Sequence, residues 1–224
     1  MDNMRPFFQF LHKFIELTEE EFDTVIRPHL QIRHFKKKQV ITQEGTVEDY
    51  LNFVTKGLVR KFYKKAKEQI NTQISTEGHI IHAMESFHSR QPSEYVVEAI
   101  EATTMVSITY DDLERLYAGS HKMERLGRLV ITFTMVIKDR WQINMIKMTP
   151  RERFIDFVHK NPELLQRVPQ KFLASYLNIQ PETFSRFKHL LREKKKYSPP
   201  YTALGFFPRG MLFVRIIVQQ IANI

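Results

Sequence analysis

The hydrophobic period of this chain changes twice, and those changes restrict its fold more than any other feature. Before residue 31 and after residue 109, apolar residues recur at three and four, the period of a helix. Between them they fall in short runs rich in β-branched and aromatic residues: Ile32, His34-Phe35, Val40-Ile41, Leu51, Phe53-Val54, Leu58-Val59, Phe62-Tyr63, Ile70 and Ile74. Turn signals separate them at Lys36-Lys37-Lys38, Glu44-Gly45, Lys56-Gly57, Lys65-Ala66-Lys67-Glu68 and Glu77-Gly78. A second group, Tyr95-Val96-Val97, Ala99-Ile100 and Thr103 through Ile108, closes the region. Short strands at this spacing predict an antiparallel sandwich or barrel, not an alternating α/β sheet. Residues 79–95 (HIIHAMESFHSRQPSEY) are too polar and mixed for a strand, and predict a short helix and an exposed pocket wall.

The helical segments carry their own start signals. Thr18 caps the first, with Glu21 three residues on to close a capping box; Phe22, Val25 and Ile26 follow on one face, and Pro28 ends it. Thr109 caps a second, with Asp112 three on and Leu113, Leu116 and Tyr117 behind; Gly119-Ser120 interrupts it. The longest run spans 121–147. There Leu126, Val130, Phe133 and Ile137 step by four, three and four, a heptad-like seam widened by Leu129, Val136 and Ile143. A helix of about 27 residues, ~40 Å long, exceeds what a small barrel needs for cover. It reads as a connector that also packs against its equivalent in a second chain. The alternative is a helix simply buried against the β-domain. Thr149, Pro150 and Glu152 start the next helix, with Phe154, Ile155, Phe157 and Val158 as its buried side.

The stretch Arg167 to Lys196 then reads as two short amphipathic helices joined by a tight turn at Asn178-Ile179-Gln180. The first starts near Pro169 and carries Phe172, Leu173, Tyr176 and Leu177 inward. The second opens with Pro181 and Glu182 and recurs at Phe184, Phe187, Leu190 and Leu191; its other face holds Thr183, Ser185, Arg186, Lys188 and His189. This is the sequence form of a helix-turn-helix whose second helix can enter a DNA major groove. Charge supports that reading. Residues 1–146 hold 20 Lys/Arg against 20 Asp/Glu, whereas 147–196 hold 12 against 5. An excess confined to one segment suits a nucleic-acid module attached to a neutral one.

The expected fold is therefore α+β. A β-roll domain covers 1–120, a long connecting and dimerisation helix 121–147, a helix-turn-helix domain 148–196 and an atypical tail 197–224. The tail, YSPPYTALGFFPRGMLFVRIIVQQIANI, has no assigned role. The chain contains no cysteine, which removes disulfides, thiolate nucleophiles and cysteine-held clusters. It has no apolar stretch long enough to span a bilayer, and its first residues make a poor signal peptide, so the expected place is the cytoplasm, without a membrane partner.

Two stretches carry a family resemblance. Leu173-Ala174-Ser175-Tyr176-Leu177-Asn178-Ile179-Gln180-Pro181-Glu182-Thr183-Phe184-Ser185-Arg186 resembles the signature IAxxLGxxxETxSR, and Thr149-Pro150-Arg151-Glu152-Arg153-Phe154 resembles the motif that starts the same family's DNA-binding domain. Glu44-Gly45 and Lys56-Gly57-Leu58-Val59-Arg60 resemble turns of its β-roll. The family is the cyclic-nucleotide-receptor class of bacterial transcription regulators, the catabolite activator protein and its oxygen-sensing relatives, and the likeness covers about residues 10–195. It implies a cyclic-nucleotide-binding-like, jelly-roll-like first domain and a homodimer with Leu126, Val130, Phe133 and Ile137 at its interface. It implies double-stranded DNA, RNA polymerase and a small-molecule effector as partners, with no catalytic residue, metal or cofactor.

Carried over by residue, Glu182 and Arg186 take the base-reading places: an arginine fork pairs bidentately with guanine, and a carboxylate accepts from cytosine N4. The alternative is an i,i+4 ion pair between them. Gln170, Thr183, Ser185 and Lys188 are candidates for phosphate contacts, and Gln180 completes the DNA-binding set. Pro181 stands where the founding member has a base-reading arginine, so the operator differs. The implied effector pocket includes Gly78, His79, Ile80, Glu85, Arg90 and Ser93. Members that bind cyclic AMP have a Gly-Glu pair and an Arg followed by a small hydroxyl residue. Here Gly78 is present, the acid is absent, Arg-Ser becomes Pro92-Ser93, and Arg90 lies two residues early. A buried phosphate would lack its main charge-assisted partner, so the effector is expected not to be cyclic AMP. His79, His82 and His88 lie close in sequence, but nothing completes a metal set with them. The alternative function is a small-molecule binding protein with a degenerate DNA-binding domain.

Overall fold

A computed structural model describes residues 3–66 and 68–189. The chain divides into two compact units, one ending at Val130 and the other beginning at Ile131.

In the first unit, α1 (Arg5–Leu11) takes Pro6 in its first turn, where the missing N–H costs nothing. Its buried rings Phe7 and Phe10 lie 5.1 and 5.2 Å from Phe53. α2 (Glu19–Glu21) opens with the expected reciprocal box: the Glu21 N–H donates to Thr18 Oγ1 at 3.1 Å and the Thr18 N–H to the Glu21 carboxylate at 3.0 Å. The next turn, Phe22–Ile26, is wider, since the Arg27 N–H reaches back five residues to the Phe22 carbonyl. That spacing stacks Ile26 over Phe22 on the buried side and turns Val25 out. Val25, expected on the same face, is exposed.

The strands that follow are β1 (Leu30–Phe35), β2 (Val40–Thr42), β3 (Tyr50–Lys56), β4 (Val59–Lys65), β5 (Glu68–Ser75), β6 (Ile80–Ile81), β7 (Val96–Ala99) and β8 (Thr103–Thr109). They form two four-stranded antiparallel sheets, ordered β1-β8-β3-β6 and β2-β7-β4-β5. Phe35, Val54, Ile81 and Met105 from the first sheet pack with Val59, Val97 and Ala99 from the second, so the sheets bury their apolar faces against each other. The strand at Ile80–Ile81 corrects the expectation that 79–95 is too mixed to pair. Asn52 and Phe53 of β3 supply the partner backbone, and burial of Ile81 in the shared core outweighs the polar neighbours. The expected short helix is present as α3 (Met84–Ser89). The segment buries Ala83, Ser86, Phe87 and Ser93 and exposes Glu85, His88, Ser89, Gln91 and Pro92.

α4 (Tyr110–Gly119) has its expected cap, the Asp112 N–H donating to Thr109 Oγ1. α5 runs over His121–Lys147, the predicted span. Leu126, Val130 and Phe133, expected on an open dimer seam, are buried within the single chain. Ile137 is partly covered, and the apolar residues that α5 leaves exposed are Met135, Ile143 and Ile146.

The second unit adds α6 (Pro150–Lys160), α7 (Leu164–Arg167), α8 (Gln170–Tyr176) and α9 (Pro181–Phe187). Thr149 and Glu152 form the predicted box at the start of α6. Phe154, Phe157, Leu164, Val168, Leu173, Leu177, Ile179 and Phe184 are buried in this unit. Leu190, Leu191 and the tail 197–224 lie outside the described residues. Among the described residues, no helix is long and apolar enough to cross a membrane.

The β3–β4 turn makes a quantitative test. Gly57 has φ +101°, and a Cβ there would lie 2.6 Å from the Ala102 carbonyl and 2.8 Å from Thr103 Cα, both backbone. Gly45 also has positive φ, +82°, but open space around it. Gly45→Ala is expected to cost about 1 kcal/mol from backbone strain alone, and Gly57→Ala about 3 kcal/mol because steric overlap adds to it. Urea unfolding of both variants measures the difference; equal losses would show that the overlap relaxes freely.

Candidate nucleic-acid interface and effector region

The turn between α8 and α9 starts where Asn178 takes a left-handed conformation, φ 51°, which an asparagine tolerates at a helix end. The Ile179 N–H then donates to the Ala174 carbonyl at 2.9 Å, and buried Ile179 ties the turn to the core. Gln180 is extended and Pro181 begins α9. Phe184 is buried and meets Phe154 edge-on at 5.1 Å, which sets the rotation of α9 about its axis. With Phe184 inward, the helical period places Glu182, Ser185, Arg186 and His189 on the outward face, with Thr183 at its edge; Lys188, four residues after Phe184, falls on the Phe184 side and is exposed because the helix ends there. Gln180, Glu182, Ser185, Arg186 and Lys188 are exposed, while Thr183 and Gln170 are half-buried. Arg186 Nη2 donates to Thr183 Oγ1 at 3.2 Å, so the guanidinium leans along the helix towards Thr183 and not towards Glu182.

Sequence reasoning missed the residue that holds this turn. Arg153 of α6 is 8 % exposed. Its Nε donates to the Leu177 carbonyl at 2.8 Å and its Nη2 to the Asn178 carbonyl at 2.8 Å. Its Nη1 donates to the Met145 and Met148 carbonyls at 3.0 and 2.9 Å. Burial pulls the guanidinium down from its ordinary value, and four carbonyls compensate for the lost water. The available signal was an arginine beside an apolar stripe, one residue before Phe154 and four before Phe157. Nearby, the Trp141 and Tyr176 rings stack at 4.3 Å with 10° between their planes.

The expected effector residues are less convergent. Gly78 makes a turn at φ 84°. His79 Nδ1 lies 3.1 Å from the Thr76 carbonyl, Ile80 is in β6 and Glu85 is exposed on α3. Ser93 is buried, its Oγ donating to the Tyr95 carbonyl at 3.0 Å. Arg90, considered as a displaced phosphate ligand, is committed elsewhere: it donates to the Glu48 carbonyl at 2.7 Å, pairs with Asp49 and lies over the Tyr110 ring at 4.5 Å. The α3 segment is held by a residue not picked out in the sequence. The buried Glu48 carboxylate accepts from Thr42 Oγ1 at 2.6 Å and from the Ala83 and Tyr50 N–H groups at 3.2 Å. Its own N–H donates to Ser86 Oγ at 2.9 Å. Burial raises its pKa, and those donors oppose the rise. His82 is 5 % exposed, and its carbonyl accepts from Lys61 Nζ at 3.2 Å. Burial, with Lys61 and His88 nearby, pushes its pKa down to about 3, so the ring is neutral. Among the described residues no three metal-ligating side chains converge.

Residues 32–120 match the family model of the cyclic nucleotide-binding domain. No curated protein matches the chain. Among solved structures, FixK2 from Bradyrhizobium japonicum superposes with a TM-score of 0.65 at 16 % identity, over 82 % of this chain and 96 % of that one. The chain has the fold of the cyclic-nucleotide-receptor regulators. CLP of Xanthomonas campestris, described as a c-di-GMP-responsive global regulator, gives 0.61 at 14 % identity over 80 % of this chain and 95 % of its own. A CooA mutant from Carboxydothermus hydrogenoformans gives 0.60 at 12 % identity over 92 % and 97 %. The shared architecture is a cyclic-nucleotide-binding-like β-roll, a long helix and a helical C-terminal region.

The neutral His82 has a consequence for stability. A base pushed down on folding binds fewer protons folded than unfolded, so it costs stability as pH falls from about 6.5 towards about 3. The slope is at most about 1.4 kcal/mol per pH unit. His82→Phe is expected to remove one proton's share of the pH dependence between about pH 6 and 5. His88 (lowered) and Glu48 (raised) titrate in both proteins and cancel in the comparison. Urea melts at the two pH values read the slope; identical slopes would contradict a neutral buried ring.

Proposed function

We propose that this protein is a homodimeric DNA-binding transcription regulator that reads duplex DNA through α9 and senses a small molecule other than cyclic AMP in its β-roll domain. The observation that carries the reading is the outward face of α9, where Glu182, Ser185 and Arg186 are exposed on a helix whose rotation Phe184 sets. Arg186 offers its fork to a guanine edge, and Glu182 accepts from cytosine N4. Lys188, Ser185, Thr183, Gln170 and Gln180 bind phosphates and flanking atoms, which position the helix without reading sequence. Pro181 removes one donor from the reading set, so the operator differs from that of the catabolite activator protein.

Two recognition helices of a dimer would contact half-sites one turn of DNA apart, about 34 Å. The second half of α5 supports a dimer seam shifted from the expected one: Met135, Ile143 and Ile146 recur at eight and three residues, lie on one face and are exposed. Effector exclusion rests on chemistry. Arg90 is already bonded to Glu48 and Asp49, and the residue directly before Ser93 is Pro92, so a cyclic phosphate lacks its charge-assisted partner. Effector binding would favour one of two arrangements of the reading domains and so shift DNA affinity. RNA polymerase is the partner that a regulator of this architecture would recruit or block. The reading with a degenerate DNA-binding half turns on residues 197–224, which lie outside the described residues.

The test is binding to a duplex selected from a random-sequence pool. Arg186→Ala is expected to cost about 1–3 kcal/mol and to relax preference at one base pair. Lys188→Ala should weaken all sequences alike and reduce the salt slope by about 1. Added cyclic AMP should leave affinity unchanged. Wild type and Arg186→Ala binding the selected duplex equally would sink the base-reading role.

A further inference from the structure

Arg153 satisfies two helix ends with one side chain. Met145 is in the last turn of α5 and Met148 follows it, while Leu177 and Asn178 close α8. Carbonyls at helix C-termini lack intrahelical partners, and a cation there also meets the negative end of each macrodipole. The guanidinium places four of its five N–H donors on these carbonyls, at 2.8 to 3.0 Å. A second tie joins the same two segments: Trp141 lies one turn before Met145, Tyr176 directly before Leu177, and their rings stack at 4.3 Å. The last two turns of α5 are therefore bound to the turn from which α9 emerges.

The segment just before Trp141 is built differently. Residues 131–137 read ITFTMVI, in which Ile131, Thr132, Thr134, Val136 and Ile137 are β-branched. Such residues lose χ1 freedom in a helix and lower its propensity.

We propose that Arg153 is the positioning residue of the recognition helix, locking α9 to residues 141–148. This rests on the DNA-regulator reading above and adds a residue to it: Arg153 holds the reader to the end of the connector across the Met148-Thr149 junction. Lysine cannot replace the arginine, since a point charge with three donors does not span four carbonyls held on two segments.

Hydrogen exchange of the full chain, the emission of its single tryptophan, Trp141, and DNA affinity test the proposal together. In the wild type, amides of 131–137 should exchange at least about tenfold faster than those of 141–147, the equivalent of one hydrogen bond to a charged group. Arg153→Lys should bring 141–147 to the faster rate, shift Trp141 emission to the red and weaken binding to the selected duplex about tenfold. Its salt slope should stay that of the wild type, because Arg153 touches no phosphate. Trp141→Ala, which breaks only the stack, should raise exchange at 141–147 in the same direction and keeps the test open if Arg153→Lys does not fold. Uniform protection along α5, or an Arg153→Lys protein with wild-type emission and exchange, would overturn the proposal. A wild type that binds no duplex would sink the DNA reading instead, and exchange and emission would still decide the lock.

Discussion

One buried cation organises the C-terminal unit. Arg153 carries a full charge into a site that is 8 % exposed, and the site tolerates it because the ends of α5 and α8 leave carbonyls that nothing else in those helices can satisfy. Each side of the arrangement answers the other's desolvation. Removing the arginine would orphan four acceptors at once, at a cost of about 1–3 kcal/mol for each that stays dry. The left-handed Asn178, the buried Ile179 and the inward Phe184 all depend on a turn held in one place. The exposure of Glu182 and Arg186 is the downstream result.

The β-roll repeats the principle with the opposite charge. Glu48 enters the interior as a carboxylate and is met by the Thr42 hydroxyl and two N–H groups, one of them from Ala83 at the start of α3. Arg90 closes the other end of α3 onto the same loop. Buried polar networks of this kind, when fully satisfied, rigidify the segment that carries them. Arg90 braces the loop, bonded to the Glu48 carbonyl and paired with Asp49.

Legibility in the sequence followed the range of the interaction. Thr18, Thr109 and Thr149 were readable as caps because a cap is settled within four residues. The strand runs and the positive-φ turns at Gly45, Gly57 and Gly78 were readable for the same local reason. Val25 was misplaced because the turn containing it is wider than the period used to read it. Ile80–Ile81 was missed because its strand is two residues long among polar neighbours, too short to leave a local run to read. Leu126, Val130 and Phe133 show a limit of periodicity: the pattern marks a side chain as destined for burial without naming the surface that buries it.

By itself, the sequence determined the order of elements, the limits of α5, the caps, and the placement of the charge excess on the helix-turn-helix, all of which depend on neighbours along the chain. Tertiary structure alone decided which polar groups meet. Arg153 finds carbonyls 8 residues before it and 25 after it, Glu48 finds an N–H 35 residues away, and Arg90 reaches back 42. The reason is physical. A hydrophobic residue is satisfied by any apolar neighbour, so its pattern is enough, whereas a buried donor or charge needs one particular acceptor at one distance and angle. Only the folded chain supplies that acceptor.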